Sequence, residues 1–195
     1  MTETKSKMRE YIEAIVIAIL IAFFIRTFII QAFKIPSGSM KPTLQIGDHI
    51  LVTKFIYGVK IPLIRKDLIP VADPKRGDIV VFIYPVDRSK DFVKRVVGVG
   101  GDTIEIRDKQ IYINGQPYKD SYGVYTDDTL YPEVAQPRDN FGPVTVPQGS
   151  IFVMGDNRNE SSDSRISELG MVDVRCVIGK VLLVVLPLDR IGEVE

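Results

Sequence analysis

Two serines, Ser37 and Ser39, stand one residue apart in the run Ile35-Pro-Ser-Gly-Ser-Met-Lys-Pro-Thr-Leu44. Proline fixes φ and glycine frees it, so Pro36, Gly38 and Pro42 can hold a serine exposed in an unusual backbone geometry. A hydroxyl presented in that way is a candidate nucleophile if a base lies within reach. The same residues also make an ordinary polar turn, and the segment alone does not choose between the two.

Candidate bases are few. In Phe92-Val-Lys-Arg-Val-Val97, Lys94 and Arg95 sit inside an apolar, strand-like run, where alternation points them to opposite faces. A buried arginine stays charged and requires a carboxylate. A buried lysine can lose its proton instead, because burial lowers its ordinary pKa of ~10.4 by several units. Such a neutral amine serves as a general base near neutral pH. The alternative is a solvated lysine that guards an edge strand against pairing. His49 is the one histidine and therefore the one imidazole open to Ser39, ten residues before it. It is equally an ordinary strand histidine.

The densest polar stretch is Gly155-Asp-Asn-Arg-Asn-Glu-Ser-Ser-Asp-Ser-Arg165. A calcium loop is excluded, since counting from Asp156 puts Arg158 at the third position and Ser161 where a glycine belongs. Acids, arginines and hydroxyls in this mixture suit a network of ion pairs and hydrogen bonds that holds a site in shape, or an ordinary surface loop.

Composition narrows the function classes. The formal net charge is zero over 195 residues, which gives no electrostatic footprint for nucleic acid. A single cysteine, Cys176, excludes an intrachain disulfide and a cysteine zinc cluster, and it reads as a small core residue of an apolar strand. No residue pattern calls for a metal or cofactor.

Something must carry these groups. Residues 11–30 are nearly all apolar, interrupted by Glu13, Arg26 and Thr27. As a helix they reach ~30 Å, the thickness of the hydrocarbon core, with Arg26 placed to snorkel. Lys5, Lys7 and Arg9 precede the run, so the positive-inside rule puts residues 1–10 in the cytoplasm and residues 31–195 outside. A cleaved signal peptide is the competing reading. The first small-x-small pair after the run is Ser37-x-Ser39, and cutting there would remove the serine of interest, which favours an uncleaved anchor.

Beyond the anchor the chain reads as β. Asp48–Thr53, Asp78–Tyr84, Phe92–Val99 and Ile151–Met154 are short Val/Ile/Phe-rich runs bounded by turn residues. Thr103–Arg107 and Gln110–Asn114 alternate as a hairpin with one solvated face. Val174–Leu186 predicts one long strand or two short ones broken near Gly179. Tyr118–Pro143 is polar and patternless, and predicts a loop.

Taken in order, these segments resemble the bacterial type I signal peptidases, or leader peptidases. The anchor is followed by Pro36-Ser-Gly-Ser-Met40 with Pro42-Thr-Leu44, then by Gly47-Asp-His-Ile-Leu-Val-Thr-Lys54 with Tyr57-Gly58. Next come Arg76-Gly-Asp-Ile-Val-Val-Phe82 and Val93-Lys-Arg-Val-Val-Gly98 with Gly101-Asp102. Last is Gly155-Asp-Asn-Arg158 with Ser161, Asp163, Ser164 and Arg165.

The resemblance implies a mainly β fold: an N-terminal transmembrane helix, then an antiparallel β catalytic domain with a smaller inserted β subdomain over residues 101–147. It implies Ser39 as nucleophile and Lys94 as its general base. Ser37 and the Ser39 N–H would be the oxyanion donors, and Ser161 would orient the lysine. Asp156 with Arg95, and Asp163 with Arg165, would be structural ion pairs. Ile35, Pro36, Met40, Leu44 and Val93 would line shallow pockets for small side chains. The implied reaction is removal of signal peptides from exported precursors after small-x-small sites, on the outer face of the cell membrane, with membrane lipid as neighbour and without cofactor or metal. Outside enzymology, the alternative is a membrane-anchored β module that binds signal peptides without cutting them. A self-cleaving repressor-type Ser-Lys protease would lack both the anchor and the loop from Asp156 to Arg165.

Overall fold

The computed structural model describes residues 7–57, 59–60, 67–69 and 72–194; Lys5 and Gly58 lie outside them. Helix α1 spans Lys7–Phe24 and continues through a π-helical turn, Ile25–Ile29. The helical run is therefore the 23 residues Lys7–Ile29, about 35 Å at 1.5 Å per residue and long enough to cross the hydrocarbon core. No side chain of α1 is buried against protein. Ile15, Ile19, Leu20 and Phe23 are all more than half exposed, the condition of a helix made to face lipid.

Fourteen strands are described. They begin with β1 (Ile30–Lys34), β2 (His49–Thr53), β3 (Val59–Lys60), β4 (Asp67–Ile69), β5 (Ile79–Ile83), β6 (Asp91–Val99) and β7 (Thr103–Arg107). They continue with β8 (Gln110–Ile113), β9 (Gln116–Pro117), β10 (Phe141–Thr145), β11 (Ser150–Met154), β12 (Val172–Asp173), β13 (Val177–Leu186) and β14 (Gly192–Glu193). The larger sheet is ordered β1-β2-β13-β5-β6-β11-β12, with β14 beside β13. A four-stranded sheet is ordered β10-β7-β8-β9, and β3 pairs with β4. The strand pairs are antiparallel, so the fold is mainly β behind one apolar helix, as the sequence implied.

The core explains why several strands read as unbroken apolar runs. Ile79 and Val81 of β5 pack on one face with Ile35, Met40, Leu44, Ile50 and Val52. Val80 and Phe82 pack on the other with Val96, Ile151 and Val153. A strand covered on both faces loses the polar alternation of a half-buried one. A third cluster sets Val97, Phe152 and Met154 against Ile104, Ile106, Ile111 and Ile113, joining the two main sheets.

Three sequence expectations need correcting, and one open choice is resolved. Ile30, assigned to the anchor, opens β1, because Ile30–Lys34 pairs residue for residue with β2 from Ile30 opposite Thr53 to Lys34 opposite His49. The segment Val174–Leu186 does not break at Gly179. Val174–Cys176 forms a short 3-10 turn, and β13 then runs unbroken with a register shift between Val177 and Gly179. A Cβ at Gly179 would collide with the carbonyl of Thr53, so glycine here permits close strand approach rather than a turn. Cys176 accordingly lies half-buried at the end of that turn rather than inside a strand. Within Tyr118–Pro143, residues Phe141–Pro143 belong to β10, which pairs with β7.

Candidate active site

The serine segment crosses from β1 to β2 as a tight turn. Ile35 N–H donates to Asp48 O at 2.8 Å and Gly47 N–H to Ile35 O at 2.9 Å, closing its base. Lys41 N–H donates to Gly38 O and Leu44 N–H to Met40 O, which turns Ser39 inward while Met40 and Leu44 plug the core. Ser39 retains an ordinary negative φ and is 9% exposed, so it is neither strained nor prominent. Ser37 is the exposed serine.

Lys94 approaches from β6, where it stands opposite Val80 of β5. Its Nζ donates to Ser39 Oγ at 2.6 Å, across 55 residues of sequence. Lys94 is 4% exposed. Burial is the largest influence on its amine and brings its pKa down to about 8; Arg165 lowers it further, while Asp163 and Asp156 pull it up. A drop from 10.5 to about 8 is roughly 3 kcal/mol in favour of the neutral amine.

Arg95 takes the other direction. Its Nε and Nη2 donate to the two oxygens of Asp156, each at 2.8 Å, in a pair that is almost fully buried. Tyr122 stacks on the guanidinium, 3.6 Å from ring centroid to Cζ. Asp156 also accepts from Thr43 Oγ1 at 2.5 Å, which ties this pair to the serine turn. A second buried pair, Asp163 with Arg165, is likewise bidentate. Burial acts to raise the Asp163 pKa, but Arg165 and hydrogen bonds from Arg165, Ser161 and Gly155 N–H outweigh it and hold it below the usual range.

Other residues named from the sequence fall differently. Ser161 Oγ accepts from Gly155 N–H at 3.1 Å and bonds Asp163, whereas the amine of Lys94 bonds Ser39. Ser161 therefore meets the lysine's surroundings and not the lysine, because the Asp163 carboxylate is the stronger acceptor beside it. A cleft of about 580 Å³ opens over Ser39 and Lys94. Ile35, Pro36, Met40 and Val93 line it together with Ser37, Phe92 and Glu160. Leu44 does not line it; it is fully buried beneath, packed with Ile35 and Met40. His49 is also absent from the cleft, at the start of β2 opposite Lys34 and Leu186. Neither Ser37 Oγ nor the Ser39 N–H has a partner among the described residues, so both are free to meet a ligand oxygen.

Sequence reasoning missed three groups. Asn157 N–H donates to Ser39 O at 3.1 Å and its Nδ2 to Gly38 O at 3.3 Å, gripping both carbonyls beside the serine. Its position in the polar loop was visible, but its aim was not. Thr43 stood in the serine segment without an evident partner. Tyr122 and Asp120 come from the patternless stretch and carried no sequence signal; Asp120 pairs with Arg158 of the polar loop.

A neutral amine on a buried hydroxyl, beside an apolar cleft with free donors, can perform acyl transfer. Comparison with known proteins finds relatives over most of the chain. The profile of the family described as "Signal peptidase, peptidase S26" matches residues 8–186. A signal peptidase I of Pseudomonas aeruginosa is 37% identical over 202 residues, covering 90% of this chain and 71% of its own. A signal peptidase I P of Bacillus subtilis subsp. natto is 35% identical over 187 residues, covering 96% of this chain and 94% of its own. The crystal structure of a signal peptidase I from Enterococcus faecalis is 31% identical, with a TM-score of 0.43, and the match spans 56% of this chain and 97% of that one.

Proposed function

This chain belongs to the signal peptidase family, peptidase S26, and from that premise we propose that it is a membrane-anchored serine endopeptidase removing N-terminal signal peptides from exported precursors. Ser39 is the nucleophile and Lys94, in its neutral form, the general base. The observation that carries this reading is the 2.6 Å hydrogen bond between a 4%-exposed lysine and the Ser39 hydroxyl.

The reaction follows from the groups present. The Lys94 lone pair takes the Ser39 proton as Oγ attacks the carbonyl carbon before the cut. Negative charge developing on the carbonyl oxygen is met by the Ser39 N–H and, after a side-chain rotation, the Ser37 hydroxyl. The tetrahedral species collapses as the Lys94 ammonium returns its proton to the leaving amine of the mature chain. Water, deprotonated by the again-neutral Lys94, then splits the acyl-enzyme and frees the signal peptide as a carboxylate. The pairs Arg95–Asp156 and Asp163–Arg165 hold the two strands and the loop around this centre. Ile35 and Met40 are buried residues lining the cleft, and the family resemblance implies that they bound shallow pockets, where larger side chains would clash and small-x-small sites would be favoured.

Helix Lys7–Ile29 anchors the enzyme in the cytoplasmic membrane. Lys7 and Arg9 at its start argue for a cytoplasmic N-terminus and a catalytic domain on the outer face, against lipid and precursor. The deciding experiment is cleavage of an exported precursor bearing an Ala-x-Ala site by the detergent-solubilised protein and by its Ser39→Ala, Lys94→Ala and His49→Ala variants. Activity should vanish in the first two variants and survive in the third. Cleavage that persists in Ser39→Ala would sink the assignment, and a folded but inactive wild type would favour the binding-module reading.

A further inference from the structure

Lys54 closes the second sequence box but takes no part in the Ser39–Lys94 geometry. It stands immediately after β2, against the end of the membrane helix. The last carbonyls of any helix lack intrahelical donors and need partners from elsewhere. Here the Ile30 N–H serves Ile25 O. Lys54 serves three of the next four: Nζ donates to Arg26 O at 3.4 Å and Thr27 O at 3.3 Å, and its N–H donates to Ile29 O at 2.9 Å. These carbonyls sit where water gives way to lipid, and leaving them bare there is costly.

Lys54 lies in no ion pair among the described residues. Its charge faces the negative end of the helix dipole instead. Partial burial, and then the neighbouring Arg26, push its pKa down, a cost consistent with a placement kept for its geometry. Along Lys7–Phe24 the helix buries no side chain, and helix passes to β1 between Ile29 and Ile30 with no linker. The β1–β2 ladder and Lys54 thus join the end of the anchor to the sheet that bears the serine turn.

We propose that Lys54 is a positioning residue that locks the membrane helix to the catalytic sheet, so that the cleft keeps a fixed height and facing over the bilayer. The proposal rests on the membrane-anchored peptidase reading. A precursor whose apolar segment lies in the same bilayer presents its cleavage site in a restricted zone. A domain that swings on its anchor spends less time facing that zone, so the effective concentration of cleft at the site falls. A short soluble peptide arrives from any direction and is indifferent to the swing.

The test uses full-length protein in proteoliposomes, comparing wild type, Lys54→Met and Lys54→Arg. Substrates are a membrane-inserted precursor and a short soluble peptide spanning the same cleavage site. The methionine variant should lose about tenfold in kcat/KM on the inserted precursor while staying within about twofold of wild type on the peptide; arginine, which still donates to carbonyls, should restore the loss. In parallel, spin labels at Ala22→Cys and Arg88→Cys, in a Cys176→Ser background, report the distance between helix and sheet. The distribution should be narrow in wild type and broad in Lys54→Met. An unchanged distribution, or an equal loss or none on both substrates, overturns the lock. If wild type cleaves neither substrate, the peptidase reading fails, and the distance distributions still decide whether Lys54 holds the helix.

Discussion

Gly155 packs directly against the carbonyl of Ser39. A Cβ at that position would stand well inside contact distance of the Ser39 oxygen on one side and Ser161 Oγ on the other. Backbone cannot yield as a flexible side chain does, so Gly155→Ala must shift the serine turn. Displacing a nucleophile by about an ångström costs on the order of a hundredfold in rate. The variant is expected to fold, as judged by circular dichroism in detergent, and to lose about that much kcat with a smaller change in KM.

As the proposed general base, the Lys94 amine, with a pKa brought to about 8, must be neutral to act. Below that value kcat/KM should fall about tenfold per pH unit, and above it level off. Stability also rises with pH, but over a higher range. The lowered pKa means that the folded state disfavours the charged amine, a penalty present in full below about 8 and relieved as pH rises toward 10.5. Lys94→Met should therefore be inactive and yet more stable than wild type at pH 7, by up to about 3 kcal/mol. Denaturant unfolding of both proteins at pH 7 and pH 10 measures this, and the gap should narrow to about 1 kcal/mol at the higher pH.

Asp156 balances Arg95 where neither side chain reaches solvent. Asp156→Leu strands the guanidinium and should cost about 3–5 kcal/mol. Removing both charges in Arg95→Met/Asp156→Leu should cost less than either single change, since no buried charge is then left unpaired. A double-mutant cycle by chemical denaturation decides it; strict additivity would mean the pair is not energetically coupled.

Val93 narrows the cleft beside Ile35 and Met40. Val93→Ala should let slightly larger side chains enter, so that cleavage after a Val-x-Val-type site gains about tenfold relative to Ala-x-Ala. Competition between the two peptides in one reaction gives the ratio directly. An unchanged preference would move the specificity determinant away from β6.

Much of this site was legible because its chemistry constrains residue type. A lysine in an apolar strand needs a reason, and so does an arginine beside it; the alternation that separates Lys94 from Arg95 already sent them to different partners. Strand cores were legible where both faces are covered, as in β5. What stayed hidden depended on long-range placement. Val174–Leu186 carries no mark showing that Gly179 serves close approach and not a turn, because that depends on Thr53, more than a hundred residues away. Leu44 sits in the same short segment as Met40, and only the direction of the turn decides that one lines the cleft and the other lies under it. Ser161 and Asn157 share a loop in which every residue can bond something, so composition could not say which one grips the serine turn. Tyr122 lies in a stretch with no periodicity at all, and its stacking on Arg95 is a tertiary event.

The sheet order also has a temporal meaning. The turn bearing Ser39 hangs from β1 and β2, and Lys94 lies on β6 beside β5, yet β2 and β5 are not neighbours: β13, which follows both by about a hundred residues of chain, lies between them. While the chain is still emerging there is no sheet continuous from the nucleophile to its base. Long-range strand pairing of this kind waits for its final partner. On the proposed reading, the hydroxyl of Ser39 and the amine of Lys94 are brought into register only when β13 docks between β2 and β5, so a partly paired chain holds the two groups without yet holding a site.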